Sequence, residues 1–113
     1  MLQTNLKHIE SADEYKQFIQ ENENVMICCG RMGPMCIPVY EIMEELEDES
    51  THVKFADMDF DIPDAHVLRN HQLARGFMGL PFTFYFKNGV AMKATTSIQN
   101  KKQVKTLLDE HLV

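Results

Sequence analysis

Residues 25 to 29, Val-Met-Ile-Cys-Cys, form an unbroken apolar run closed by Gly30. The run is too short for a buried helix, and a strand with one face in water would alternate polar with apolar residues. It is therefore expected to be a strand covered on both faces, which requires a sheet with a packing layer above and another below. The flanking sequence supplies such layers. On one side, Ser11-Ala12-Asp13-Glu14 reads as a capping box, and Tyr15, Phe18 and Ile19 recur at helical spacing until the polar stretch Glu21 to Asn24 ends the segment. On the other, the chain turns helical from Pro34, with Val39, Ile42, Met43 and Leu46 on one face and Glu41, Glu44, Glu45, Glu47 and Asp48 on the opposite one.

The same alternation continues down the chain. Val53, Phe55 and Asp57 alternate with Lys54, Ala56 and Met58 as another strand, and Pro63 opens a helix expected to run to about Leu73. Phe82 to Phe86 is strongly strand-forming, Lys87-Asn88-Gly89 fits a tight hairpin, and Val90 to Thr95 is its partner strand. Asn100 and Gln103 cap a last helix whose apolar stripe is Val104, Leu107, Leu108 and Leu112. Leu2 to Ile9 is mixed in character and compatible with a short edge strand. Strands alternating with helices and ending in a hairpin specify an α/β fold, a central mixed sheet flanked by helices on both faces. At 113 residues the chain is expected to form a single domain spanning 1–113.

Charge narrows the choice of partner. Seventeen acidic side chains against eleven basic ones leave a net charge of -6, a field that repels phosphate backbones and anionic headgroups. Neither nucleic acid nor a membrane surface is expected as a partner. No long apolar run follows Lys7, so the start lacks the layout of a secretory signal and the chain is expected in the cytoplasm. Three cysteines, an odd number, suit thiol, metal or redox roles better than a disulfide framework.

All three cysteines fall in Ile27-Cys28-Cys29-Gly30-Arg31-Met32-Gly33-Pro34-Met35-Cys36. This segment resembles the active-site turn of the thioredoxin family, with M-G-P-M-C in place of C-G-P-C. Gly76-Phe77-Met78-Gly79-Leu80-Pro81 resembles the family's cis-proline loop, and Phe86-Lys87-Asn88-Gly89 resembles its hairpin. The resemblance extends from Ser11 to Leu112 and implies a thioredoxin-like fold. Asp61 to Pro81 is several residues longer than usual, which suggests a helix extended by about one turn.

The departures bear on function. Matching on Gly33-Pro34 puts Met32 and Met35 at both catalytic cysteine positions, while matching on the helix's apolar face puts Cys36 at the second. Either way the first, attacking thiol is gone, and a thioether can neither ionise nor exchange. The tryptophan usual in this turn is absent, and Met26 or Ile27 stands where the family buries an acid. A redox-atypical thioredoxin-like protein is implied.

Whether such a protein is an enzyme stays open between two readings. In the first, the old active-site groove binds a protein or peptide partner as an added strand, with Arg31, Met32, Gly33, Pro34 and Met35 on one side and Met78, Gly79, Leu80 and Pro81 on the other; flexible methionine suits such surfaces. In the second, Cys36 is a monothiol favoured as thiolate by the helix start, or pairs with Cys29, in thiol-disulfide exchange or oxidant sensing. Asp57 is then a candidate proton acceptor, or else a solvated carboxylate at a strand end. Cys28 and Cys29 point to opposite faces of their strand, and burial as small apolar residues is the alternative for both. Met32, Met35 and Cys36, with Cys29, are soft donors suited to Cu(I), but their spacing matches no metal motif; no metal or cofactor is expected.

Overall fold

The computed structural model describes residues 2–113. The chain runs β1 (Lys7–Ile9), α1 (Ala12–Glu21), β2 (Asn24–Gly30), α2 (Ile37–Glu49), β3 (Lys54–Asp59), α3 (His66–Arg69), β4 (Phe82–Lys87), β5 (Val90–Thr96) and α4 (Lys101–His111). The strands form one sheet in the order β1-β3-β2-β4-β5. β1, β3 and β2 are mutually parallel, whereas β4 and β5 run antiparallel, with a register shift between Tyr85 and Phe86. β2 is central, and every residue from Asn24 to Gly30 is buried, as its uninterrupted apolar run requires. The expected α/β architecture is present, a mixed sheet with helices on both faces.

Alternate β2 residues divide between the two layers, as the two-residue period of a strand dictates. Met26 and Cys28 join Val39, Tyr40, Met43 and Leu46 of α2 and Val104 and Leu108 of α4. Val25, Ile27 and Cys29 face the other way, with Ile19 of α1, Leu68 of α3 and the rings of Phe82, Phe84 and Phe86. β1 is the short edge strand expected near the start. Leu2–Leu6, which precede it, have no regular structure, yet Leu2 and Leu6 are buried in the α2/α4 layer. Among the described residues no helix is long and apolar enough to cross a membrane.

Local hydrogen bonds explain where the elements begin and end. Ser11 Oγ accepts the Glu14 N–H at 3.0 Å, but the Glu14 carboxylate reaches one residue past the expected box to accept from Glu10 N at 2.9 Å. Asn100 and Gln103 form the complete reciprocal box, both bonds at 2.8 Å. In the β4–β5 hairpin Asn88 and Gly89 have φ of 52° and 80°, the pair of positive angles whose twist matches the flanking strands.

Two expected helices differ. α2 starts at Ile37 rather than Pro34, and Gly33–Cys36 form a separate turn in which Cys36 N and Ile37 N both donate to the Gly33 carbonyl, at 3.1 and 3.0 Å. Pro38 sets that start, because its missing N–H costs nothing in a first helical turn. The segment from Pro63 is not one extended helix. It consists of a 3-10 turn at Pro63–Ala65, the four-residue α3 and a second 3-10 turn at Gln72–Ala74. Asn70 leaves the helical region, and extended His71 restarts the winding by accepting the Leu73 N–H on Nδ1 at 3.0 Å. Two short turns thus take up the length assigned to one helix.

Phe84 is fully buried, stacked at 6.2 Å on Phe86 and edge-on at 5.2 Å to His71. Phe84→Ala should lower the unfolding free energy by about 3–5 kcal/mol, and Asn100→Ala, which removes the α4 cap, by about 1 kcal/mol. Urea titrations should show both as shifted midpoints with an unchanged slope.

Candidate functional site

The turn at Gly33–Cys36 and the loop before β4 meet over the end of β2, and Gly30 marks the meeting point. A Cβ at Gly30 would lie 2.8 Å from Tyr40 Oη, 2.9 Å from Cys36 Sγ and 3.1 Å from Pro81 Cβ. Only a residue without a side chain lets the three groups converge there. The Leu80–Pro81 peptide is cis. Two hydrogen bonds tie α2 to the outgoing strand: Tyr40 Oη donates to the Arg31 carbonyl at 3.1 Å, and Arg31 N donates to Cys36 Sγ at 3.5 Å.

Cys36 is only 2% exposed, whereas Met35 is 43% and Met32 40% exposed. The buried face of α2, which includes Val39, Tyr40, Met43 and Leu46, therefore extends back to Cys36 and leaves Met35 outside.

One level deeper, His8, Asp57, Cys28, Thr83 and Thr95 stand side by side across all five strands. Asp57 is buried, not a solvated carboxylate at a strand end. His8 Nδ1 lies 2.7 Å from Asp57 Oδ1, and Thr4 Oγ1 donates to Asp57 Oδ2 at 2.5 Å. Burial pushes the Asp57 carboxyl above its ordinary value, and the bonds from Thr4 and His8 pull the other way. Thr83 Oγ1 donates to Cys28 Sγ at 3.9 Å, while the Thr95 and Tyr85 hydroxyls are buried without a partner among the described residues. Sequence reading missed Thr4, His8 and Thr83. No local spacing could reveal partners 53 and 49 residues from Asp57.

All three cysteines are free and buried. The expected pairing of Cys29 with Cys36 meets an obstacle, because Cys29 packs in the α1/α3 layer and Cys36 in the α2/α4 layer. Cys28 is the cysteine that shares the face of Cys36. Burial pushes the Cys29 thiol up to about 12, and it drives Cys28 well above the ordinary thiol value despite the Thr83 hydroxyl. The soft-sulfur group of Met32, Met35, Cys36 and Cys29 is likewise divided by the sheet, so its four donors do not converge.

In the loop before β4 Met78 is 93% exposed and Gly79 is exposed, and in the turn before α2 Pro34 is exposed. Leu80 is half-buried and Pro81 buried. The Gly79 carbonyl accepts from Ser97 N at 3.1 Å and from Thr96 Oγ1, and the Pro81 carbonyl accepts from Ser97 N at 3.0 Å. Among the described residues Met78 and Leu80 make no such backbone bond, so the outer side of this loop is open to one. Arg31 closes the other end: Nε and Nη2 grip Asp61 in a fork at 2.9 and 2.8 Å and hold its carboxyl below the usual range. The Phe60 ring carries both the Arg31 guanidinium, at 5.2 Å, and that of Arg69, at 5.6 Å.

No family model and no curated protein matches this chain. Solved structures match across nearly its whole length. Thioredoxin from Plasmodium falciparum is 21% identical with a TM-score of 0.76, covering 94% of this chain and 99% of that one. A point mutant of thioredoxin from Halobacterium salinarum NRC-1 is 20% identical with a TM-score of 0.74, over 100% and 97% of the two chains. Thioredoxin f2 of Chlamydomonas reinhardtii is 14% identical with a TM-score of 0.77, over 96% and 97%. The chain has the thioredoxin fold.

Gly30→Ala should lower stability by about 1–3 kcal/mol, read as a drop in melting temperature, because strand backbone and α2 cannot both hold their positions. Asp57→Asn should change how stability varies with pH. A folded-state pKa raised above the ordinary 3.8 means that the folded chain holds the proton more tightly. The Asp57 contribution is then full below 3.8 and declines as pH climbs through the raised value. The amide variant should gain on wild type across that window in urea titrations taken at several pH values, and parallel pH profiles would contradict the raised pKa.

Proposed function

We propose that this chain is a redox-atypical thioredoxin-like protein that binds an extended segment of a protein partner in the groove between Arg31–Met35 and Met78–Pro81. The observation that carries the reading is the placement of sulfur. Three thioethers, Met32 and Met35 in the turn ahead of α2 and Met78 in the loop ahead of β4, are exposed, while the three thiols are buried. Exchange chemistry needs an accessible thiolate, whereas an adaptable apolar lining needs accessible methionine. The open backbone at Met78 and Leu80 supports strand addition by the partner, with main-chain bonds for affinity and the methionines for side-chain contact.

Thiol-disulfide exchange by Cys36 has less support. Cys36 meets the Arg31 N–H at the start of α2, but Cys29 packs across the sheet from it and no second thiol lies exposed in the groove. Three free cysteines suit the cytoplasm, where thiols stay reduced.

Linear peptides selected on the wild-type protein from a phage-displayed library provide the probe. By calorimetry Met78→Asp should bind the selected peptides at least about tenfold more weakly, roughly the effect of an apolar contact replaced by a charge. Met92→Asp, at an exposed position on β5, should bind as wild type does. Rapid reduction of insulin disulfides by wild type, lost in Cys36→Ser, would overturn the reading in favour of an enzyme.

A further inference from the structure

The segment Leu2–Leu6 lies across the α2/α4 face without helix or strand to hold it. Among the described residues its fastenings are few. Leu2 and Leu6 are buried, Thr4 Oγ1 donates to Asp57, Asn5 N donates to Glu44 Oε2 at 2.7 Å, and Leu6 N donates to Thr4 Oγ1 at 3.1 Å. The remaining bond is of a different kind: Gln3 N donates to the thioether sulfur of Met32 at 3.3 Å. Met32 is thus at once exposed to solvent and the acceptor for a backbone amide of the segment that covers Asp57. Met26, Met43 and Met58 are buried. Met35, Met78 and Met92 are exposed, but among the described residues their sulfurs accept no hydrogen bond.

We infer that Met32 is an oxidation switch: a peroxide-class oxidant converts its thioether to the sulfoxide, which releases the segment Leu2–Leu6 from the sheet and opens Asp57 to water. In the chemical step a sulfur lone pair attacks one peroxide oxygen, the O–O bond breaks and an S–O bond forms. Sulfur is oxidised by two electrons, and the second oxygen leaves, with the two peroxide protons, as water. Sulfur offers two lone pairs, and either choice disturbs Gln3. Oxygen placed on the engaged lone pair intrudes between Sδ and the amide, which must move back. Oxygen placed on the free one leaves an electron-poor sulfur that no longer accepts the N–H. Thr4 follows Gln3 directly, so displacement passes to the Thr4–Asp57 bond. The two epimers are reduced by separate methionine sulfoxide reductases, so the change is reversible. The switch is independent of whether the groove takes a peptide.

The test uses the full chain labelled with 15N, treated with hydrogen peroxide, with oxidation sites mapped by peptide mass spectrometry and amide exchange followed by NMR. Once Met32 is oxidised, the amides of Gln3, Asn5 and Leu6 should exchange at least about tenfold faster than in the same protein beforehand. In Met32→Leu, peroxide should leave these rates unchanged although Met35, Met78 and Met92 still gain oxygen. Treatment with both sulfoxide reductases and dithiothreitol should restore the original rates. Three results would overturn the proposal: Met32 staying reduced after Met92 has been oxidised, full Met32 oxidation with no change at residues 3–6, or equal acceleration in Met32→Leu. No peptide is present in any arm, so the outcome is separate from that of the binding experiment.

Discussion

β2 is sealed from water along its whole length, and this condition governs what surrounds it. A strand covered on both sides can tolerate polar atoms only where a neighbour satisfies them. The row at Cys28 shows how that is met. Asp57, on the adjacent strand, is capped by a histidine from β1 and a threonine from the segment ahead of it, so each carboxyl oxygen has a hydrogen-bond partner inside the molecule. The same seal brings α2 down onto the end of β2, where Gly30 leaves space for Tyr40, Cys36 and Pro81 to meet.

That descent explains why the sulfur atoms are arranged as they are. Cys36 begins the inward face of α2 and is buried with it, so the turn before the helix can present only what precedes Cys36. Two of those residues, Met32 and Met35, are thioethers. Arg31 does not offset their apolar character, because its charge is engaged with Asp61 and its planar face with Phe60. Exposed Met32 and Met35 thus stand at the surface of a strongly acidic chain.

Much of this was legible in the residues. The apolar run of β2, the aromatic run of β4, the Asn88-Gly89 turn and the Asn100/Gln103 cap each rest on local chemistry, and each appears where that chemistry puts it. What failed was whatever depended on distant partners or on competition between nearby signals. Pro34 and Pro38 can each open a helix, and α2 begins with the second in its first turn. Helical spacing after Pro63 concealed the break at Asn70-His71. Strand alternation aimed Asp57 toward the correct layer, yet its burial depends on Thr4 and His8, which lie far away in the chain. Alternation likewise put Cys28 and Cys29 on opposite faces, and applied further it would have favoured Cys28 over Cys29 as the companion of Cys36.

The register shift between Tyr85 and Phe86 has a bearing on how the chain behaves in a crowd. β5 is the outermost strand on its side, seven residues long, and an even ladder there would offer an adhesive edge to any other copy. The irregular pairing bends the ladder, and Lys93 adds a charge on the same strand. A copy arriving edge-on meets an interrupted template, which guards the fold against stacking into fibrils.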